Sequence, residues 1–449
     1  MKKIKLLLTL SLSALLATAG CTGGSAGKTL FELSGINSSV SDISQEELSS
    51  QTESENGSSE KEASASASSE PSEAASSEPS ELVSQQPSEE ESSTIEESST
   101  PEPSGNEIYK PQYKHFYPKL ASLEKKDFNI LYFSARNFRQ SAVFPSPISS
   151  DELERLMWLL NYDCPELIHV TGDYLPEYND DERVISVKLY YNMESSEYDA
   201  CFDAVEAYFD ELRTETAEMN ELQKETYVFN KLFSETTFTE TTKKAGSVYG
   251  ALIEHESRCE GISKAFAWCM NELGVECFTI AGHPLWDVES LYSSHSWNII
   301  KIDGEYYHVD LAADNLRNYP DEFVLPLYSF FNAYDRWILQ TRTVYDIFLD
   351  LGVPECASEK LNYHVMKDCL IKEGDDPEER FKDILSRYYS PAAESAISIR
   401  FENKDAYNDF FATRQTWLRD FLNENGYSCS DSFYCNDAGQ TMILYTIPE

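Results

Sequence analysis

A cysteine, a histidine and an aspartate in the second half of the chain have the spacing of a thiol-based reactive site. Apolar residues at three-and-four spacing begin three positions after Cys259 and end at a glycine: Ile262, Ala265, Phe266, Cys269, Met270, Leu273 and Gly274. This pattern predicts a buried helix that begins at the cysteine. The free N–H groups and the dipole at a helix N-terminus favour a thiolate. Gly261, in the first turn, is expected to leave room for a substrate backbone.

A predicted β-hairpin brings the histidine and the aspartate together. Asp303-Gly304 separates two strand-like runs, His295–Ile302 and Glu305–Asp310. An Asp-Gly pair favours a two-residue type I′ turn, which fixes the register of the strands. That register places the histidine diagonal to the aspartate on one face, about 7 to 8 Å apart at the backbone. We therefore predict that the carboxylate orients the imidazole, which serves as base toward the sulfur and later protonates a leaving group.

A second histidine, His308, lies on the same face beside Asp310 and is the alternative base. We favour His295, because its diagonal position leaves room toward the helix start, and we expect His308 to be a packed sheet residue. The chain has no C-x-x-C pair and no H-E-x-x-H motif, so we expect neither a metal nor another cofactor.

The order of these motifs resembles the transglutaminase-like superfamily of bacterial exported proteins. The resemblance rests on the Cys-Glu-Gly helix start at Cys259, the His-x-Trp-Asn run at 295–298 and the D-G-x-x-Y hairpin that closes on Asp310. It spans about 90 residues, 227–314, with weaker similarity reaching back to about residue 113. It implies a papain-like Cys-His-Asp triad, with Trp297 and Asn298 shaping the pocket. The backbone N–H of Cys259 is one expected oxyanion donor.

Two departures from the family pattern are visible. Ile262-Ser263 replaces the aromatic-Ala pair that commonly follows the glycine, and Leu311-Ala312 replaces the usual Val-Thr after the aspartate. Both concern the substrate pocket rather than the triad.

The expected reaction is acyl transfer through a cysteine thioester, with peptide or amide hydrolysis favoured over cross-linking. The sequence has no feature of a calcium-gated cross-linking enzyme. The alternatives are a catalytically silent envelope lipoprotein that binds a protein or glycan through the same fold, and a structural assembly factor. A paired histidine and aspartate argue against the first alternative, since a binding-only module does not need them.

The elements around the site predict an α+β fold with the cysteine helix packed on an antiparallel sheet. We expect an N-terminal α/β segment at 106–220, the catalytic core at 221–345 and a small C-terminal α+β module at 346–449. In the first we predict a helix at 150–160, an edge strand at 185–191 and a long helical stretch from 196 to 233. In the module we predict a helix at 381–385, a strand at 397–399, a helix at 410–421 and a strand at 442–447.

The first 105 residues predict export rather than a folded domain. Residues 1–21 carry three lysines, a short apolar run and small residues before Cys21, a pattern that resembles a lipoprotein signal with Cys21 as the lipidated N-terminus. An ordinary secretory signal is the alternative. Residues 22–105, rich in Ser and Glu, are expected to be a disordered tether. We therefore expect the protein to be lipid-anchored on the outer face of the cell membrane, where its partners would be protein or peptide substrates.

The net charge bears on nucleic-acid binding, and the number of cysteines bears on disulfide bridges. The formal charge is −42: residues 1–40 contribute +3, 41–100 contribute −15, and the rest carries −30. Such acidity in the folded part argues against nucleic-acid binding. Of the ten cysteines, Cys429 and Cys435 are close enough to form a local bridge, although both could equally be packed apolar residues.

Overall fold

The computed structural model describes residues 108–285, 293–315, 326, 328–391, 395–429, 434–436 and 439–446. The predicted signal sequence, the predicted lipidation site Cys21 and the Ser/Glu-rich stretch lie outside these residues. The described residues form one structural unit with an α+β fold. Among them, no helix has the length and apolar character needed to cross a membrane.

The N-terminal part is a three-stranded antiparallel sheet with helices around it. Its elements are α1 (Ser122–Arg136), β1 (Ser141–Ile148), α2 (Ser150–Tyr162), β2 (Val170–Tyr178), β3 (Val184–Tyr191) and α3 (Ser195–Glu215). The predicted helix at 150–160 is confirmed as α2, whose N-cap Ser149 accepts a hydrogen bond from Glu152 N. The prediction that 185–191 is an edge strand is wrong, because the strand order is β1-β3-β2 and both edges of β3 are paired.

The central part carries the cysteine helix and the hairpin. It contains α4 (Glu221–Glu235), β4 (Thr237–Phe238), α5 (Val248–Leu252), β5 (Glu256–Ser257), α6 (Cys259–Glu272), β6 (Cys277–Gly282), β7 (His295–Ile302), β8 (Glu305–Val309), α7 (Leu311–Asn315) and α8 (Asp335–Ile338). The helical stretch expected after residue 196 is two helices, because Asn220 caps α4 through Gln223 N. The predicted helix from Cys259 is confirmed, and Gly274 ends it with φ of 81°.

The predicted hairpin register is also confirmed. Strands β6, β7 and β8 form an antiparallel sheet, in which Ile302 pairs with Glu305. Asp303 and Gly304 have φ of 50° and 86°, the left-handed values that a type I′ turn requires.

The C-terminal module has a four-stranded sheet with the order β11-β12-β10-β9. After the short helices α9 (Asp346–Asp350) and α10 (Tyr363–Met366) come β9 (Leu370–Ile371), α11 (Pro377–Tyr388), β10 (Ser395–Phe401), α12 (Lys404–Thr413), α13 (Leu418–Glu424), β11 (Tyr434–Asn436) and β12 (Thr441–Thr446). The single helix predicted at 410–421 is wrong, because a 3-10 turn at Arg414–Thr416 separates α12 from α13. Thr416 Oγ1 donates to Thr413 O there, a local bond of the kind that competes with helix propagation.

The apolar interior is continuous across the predicted boundary at residue 220. Val205 and Phe209 of α3 pack in one cluster with Phe266 and Trp268 of α6. The N-terminal part therefore contributes to the packing that holds the cysteine helix.

A buried carboxyl group on α4 ties this helix to the segment before α8. Glu225 and Asn332 are both 0% exposed, and Asn332 Nδ2 donates to Glu225 Oε2 at 2.9 Å. Glu225 Oε1 and Asn332 Oδ1 have no donor among the described residues. Burial raises the pKa of Glu225 from 4.5 to about 8, although the Asn332 hydrogen bond opposes the rise. At neutral pH the Glu225 side chain is therefore a protonated carboxyl group, and its O–H is a hydrogen-bond donor where a carboxylate would offer only acceptors.

We predict that Glu225→Gln becomes increasingly more stable than the wild type as the pH rises from 5 to 8. The folded protein holds the proton up to about pH 8, whereas the unfolded chain releases it near 4.5, so unfolding releases a proton in this window. Stability of the wild type then falls by about 1.4 kcal/mol per pH unit through this group, and the amide removes that slope. Urea denaturation at several pH values measures the difference. Glu218→Gln, at an exposed position, is the control whose stability should follow the same pH dependence as the wild type, and parallel curves for Glu225→Gln and wild type would contradict the prediction.

Candidate active site

Cys259 and His295 meet at the N-terminal end of α6. Cys259 is the first residue of the helix and is partly exposed, whereas His295, the first residue of β7, is 4% exposed. As the first helical residue, Cys259 has a backbone N–H with no acceptor within the helix. Cys259 lies near enough to the imidazole to raise the pKa of His295 through hydrogen bonding and charge. The structure therefore brings the predicted sulfur and ring to the same end of α6.

The other side of the imidazole is held by Asp310, which directly follows β8. His295 Nε2 lies 2.7 Å from Asp310 Oδ2, so Nδ1 is the ring nitrogen that does not contact this carboxylate oxygen. Asp310 is 0% exposed, and its Oδ1 accepts from Ala313 N at 2.9 Å at the start of α7. The hairpin register thus delivers the diagonal pair expected from the sequence.

The pair is poised as an imidazolium and a carboxylate. Burial opposes the charged ring, but the charge and hydrogen bond of Asp310, with the hydrogen bond and charge of Cys259, raise the pKa of His295 to about 9. Burial also opposes the charged carboxylate, but His295 and the nearby arginine Arg342 hold the pKa of Asp310 well below its usual range. At neutral pH the ring can donate a proton.

Arg342 is the functional residue that sequence reasoning missed. It is 0% exposed, and its Nη1 donates to Asp310 Oδ2, the same oxygen that binds His295. Its guanidinium carbon lies 4.3 Å from the ring centre of Phe330 and 5.2 Å from that of Trp297. It comes 32 residues after the aspartate, in a stretch with no periodic pattern, so no local signal marked it.

An ionic cluster beside the sulfur fixes the start of α6. Glu260 binds Arg258 Nη2 at 2.5 Å and Lys264 Nζ at 3.0 Å, and Asn161 Nδ2 of α2 donates to it at 2.8 Å. Burial opposes the charge of Glu260, but the two cations outweigh it and lower its pKa to about 2. This carboxylate therefore links the N-terminal part to the helix that carries Cys259.

Gly261 has a different role from the one expected. A Cβ there would lie 2.3 Å from Ser257 Oγ, 2.4 Å from Ala245 O and 2.8 Å from Ser247 O. The space above this glycine is filled by the protein's own chain, so the prediction that it leaves room for a substrate backbone is wrong. Its lack of a side chain lets the 245–247 loop pack on the helix.

Trp297 and Asn298, expected to shape the pocket, are both enclosed by the protein. Trp297 is 0% exposed, and its indole N–H donates to His308 Nδ1 at 3.0 Å. Asn298 is 1% exposed, and its Nδ2 donates to Ser263 O at 2.8 Å, which ties α6 to β7. The structure thus gives them packing and orienting roles rather than an exposed pocket surface.

His308 forms a second group with Asp335 and Cys356, in which one ligand atom from each lies within 4.8 Å of the others. Metal-binding motifs gave no sign of this group. His308 Nδ1 accepts from Trp297, so Nε2 carries the proton that bonds Asp335 Oδ1 at 2.8 Å. A metal on Nε2 would require a proton on Nδ1, where it would oppose the indole N–H. These residues fit a hydrogen-bonded chain better than a metal site.

Residues 210–311 match the family model described as the transglutaminase-like superfamily, and the matched range includes Cys259, His295 and Asp310. The chain therefore carries a transglutaminase-like core. A comparison with curated proteins gives no match.

Solved structures show distant similarity to the chain. A TGase structure is 12% identical, with 54% of this chain and 58% of that one covered and a TM-score of 0.25. The periplasmic domain of TgpA from Pseudomonas aeruginosa, bound to ethylmercury, is 15% identical, with 24% and 43% covered and a TM-score of 0.20. A candidate cysteine protease from Cytophaga hutchinsonii is 8% identical, with 31% and 61% covered and a TM-score of 0.21. In each case the chain spans less than two thirds of the other protein.

The remaining cysteines are not bridged in the described part of the chain. The eight described cysteines are free, and Cys429 packs at the edge of the apolar cluster of the C-terminal module. The side chain of its predicted partner, Cys435, lies outside the described residues.

We predict that Arg342→Gln raises the pKa of His295 above about 9, by about one further unit, because Asp310 then keeps more of its negative charge for the imidazolium. NMR titration of protein labelled at histidine Cε1 measures the shift, and His295→Gln assigns the signal among seven histidines. Arg336→Gln, at an arginine whose side chain is 69% exposed, is the matched control and should leave the titration unchanged. A His295 pKa that stays constant or falls in Arg342→Gln would show that the guanidinium does not compete for the carboxylate.

Proposed function

We propose that the transglutaminase-like core is a thiol enzyme that transfers an acyl group through a thioester on Cys259. The observation that carries the proposal is the His295–Asp310 hydrogen bond beside the N-terminal end of α6, where Cys259 raises the pKa of the same imidazole. A cysteine nucleophile needs a base beside it and a group that orients this base, and these three side chains have that order.

In the first step the thiolate attacks an amide carbonyl carbon, and the new C–S bond forms as the carbonyl becomes an oxyanion. The backbone N–H of Cys259 lies at the helix N-terminus, where it can donate to this oxygen. The C–N bond then breaks, and the His295 imidazolium gives its proton to the leaving amine. The raised pKa of His295 keeps this proton available at neutral pH.

The second step needs a neutral imidazole, and acylation itself favours one. The hydrogen bond and charge of Cys259 are among the causes that raise the pKa of His295. A thioester sulfur carries no negative charge, so the ring loses this contribution and its pKa falls. It can then accept a proton from water, which attacks the thioester, and the released thiolate recovers its partner. We favour water over an amine as the acceptor, and therefore peptide or amide hydrolysis.

We predict that Cys259→Ala lowers release of fluorescent peptides from labelled casein by at least about 10³-fold, because the remaining site has no nucleophile. Cys429→Ser, at the other partly exposed described cysteine, is the matched control and should keep full activity. Incorporation of dansylcadaverine in a parallel assay reports transfer to an amine instead of water. Activity of Cys259→Ala within twofold of wild type would refute the thiol mechanism. A wild-type protein that binds casein but releases no peptides would identify a binding module.

Alkylation of the intact protein adds a control within one molecule. Iodoacetamide at pH 7 should modify Cys259 first, because it is partly exposed and lies near the positively charged imidazole of His295. Burial raises the pKa of Cys429 to about 11, so this cysteine should react slowly despite its partial exposure. Equal rates at the two sites would show that the sulfur of Cys259 is not activated.

We further propose that Cys21 is lipidated and that the core acts on protein or peptide substrates at the outer face of the cell membrane. The support is the signal-like sequence before Cys21 and the Ser/Glu-rich stretch after it. Expressed in a bacterial host, the full chain should partition into the Triton X-114 detergent phase, whereas Cys21→Ser should remain in the aqueous phase. A wild-type protein in the aqueous phase with an unmodified N-terminal peptide would favour secretion instead.

A further inference from the structure

Arg400 carries a buried charge from the C-terminal module toward the core. It lies on β10 and is 0% exposed. Its Nη2 donates to Tyr334 OH at 3.3 Å, while Nε and Nη1 have no hydrogen-bond partner among the described residues. The guanidinium carbon lies 3.8 Å from the ring centre of Trp337. The indole face of Trp337 and the Tyr334 side chain are therefore groups that compensate this charge.

Planar groups continue from Trp337 to the site. The Trp337 ring is stacked on the Phe330 ring, with their centres 6.2 Å apart. The guanidinium carbon of Arg342 lies 4.3 Å from the centre of the same Phe330 ring. Arg342 also lies 5.2 Å from Trp297, whose ring is stacked on His295 at 6.1 Å with an interplanar angle of 16°. Two cations and three aromatic rings thus connect β10 with the imidazole.

We call this series, Arg400, Trp337, Phe330, Arg342, Trp297 and His295, the buried stack. Each member is at most 4% exposed, so none can move without displacing its neighbours. A second contact holds the same segment: Ser329 Oγ lies 2.6 Å from Thr441 Oγ1, and Thr441 pairs with Arg400 in the sheet. The module therefore grips both Ser329 and Trp337, on either side of Phe330.

Arg342 is the member of the buried stack that contacts Asp310 directly. Arg342 and His295 bind the same oxygen of Asp310, so a small displacement of the guanidinium changes how much carboxylate charge the imidazole receives. Arg342 is held by its bond to Asp310 and by a hydrogen bond from its Nε to Thr341 Oγ1 at 3.2 Å, and its guanidinium also packs against the rings of Phe330 and Trp297. Its position therefore depends in part on what packs behind Phe330 and Trp337.

We propose that Arg400 is a positioning residue for the reactive site, and that the C-terminal module completes this site through the buried stack. This inference rests on the proposed function for its effect on turnover. The module then acts as a support for Arg342 rather than as an independent appendage, and Arg400 acts on His295 without touching substrate.

Arg400→Met in the full chain tests the proposal, because methionine fills the space with an apolar chain that needs no partner. Loss of the guanidinium should loosen Trp337 and Phe330 and weaken the hold of Arg342 on Asp310. The NMR-monitored pKa of His295 should then rise by about half a unit, in the same direction as in Arg342→Gln. Casein turnover should fall about tenfold through kcat, since misplacement of a catalytic group acts on the chemical step. Arg400→Lys, which keeps the charge but loses the planar group, should show the same changes to a smaller degree.

Ile399→Val separates positioning from stability. Ile399 is the preceding residue on β10, is 0% exposed and belongs to the apolar cluster of the module. This variant should lower stability without moving the His295 titration. A titration unchanged in both Arg400 variants, or moved equally by Ile399→Val, would overturn the proposal. The titration does not depend on turnover, so failure of the proposed function, seen as activity retained in Cys259→Ala, would leave this result readable by itself.

Discussion

One carboxylate oxygen, Oδ2 of Asp310, receives both His295 and Arg342. A buried carboxylate is costly unless its charge is compensated, and here two groups compensate it with unequal consequences. Arg342 is a permanent cation that makes the buried charge tolerable. His295 is a titratable group, and its charge state depends on how much of the negative charge of Asp310 is already compensated by Arg342. The basicity of the imidazole depends on burial, on Asp310 and on Cys259, and Arg342 shares the Asp310 oxygen with it. The surrounding structure therefore has to hold both partners of this oxygen in place.

The backbone supplies one side of this arrangement and tertiary packing the other. The Asp303-Gly304 turn fixes the register of β7 and β8, so the diagonal placement of His295 and Asp310 follows from local geometry. The sulfur arrives on a separate element, α6, which Asn298 and Ser263 tie to the sheet. Glu260 then joins the start of that helix to α2 through Asn161.

Sequence reasoning succeeded where the cause of structure is local. The apolar period after Cys259 and the Asp-Gly turn each fix geometry within about fifteen residues, and the helix, the register and the His295–Asp310 pair follow from them. It failed for Arg342 and Arg400, because a buried arginine is stabilised by partners that only the complete fold assembles. The role given to Gly261 failed for the same reason, since the 245–247 loop above it comes from outside the helix. The edge assignment of β3 failed because alternation describes the faces of a strand and not the occupancy of its edges.

Two groups of a cysteine, a histidine and an aspartate lie among the described residues, and their surroundings differ. His308 pairs with Asp335 near Cys356, as His295 pairs with Asp310 near Cys259. Burial outweighs the effect of Asp335 and lowers the pKa of His308, while Trp297 occupies its other nitrogen. Burial also raises the pKa of Cys356, which is 0% exposed, so its sulfur stays a thiol out of reach of solvent. At the other group Cys259 is partly exposed at a helix N-terminus, and Asp310 and Cys259 raise the pKa of His295 although burial opposes the rise. The difference therefore lies in access to the sulfur and in the opposite pKa shifts of the two histidines, not in the identity of the three residues.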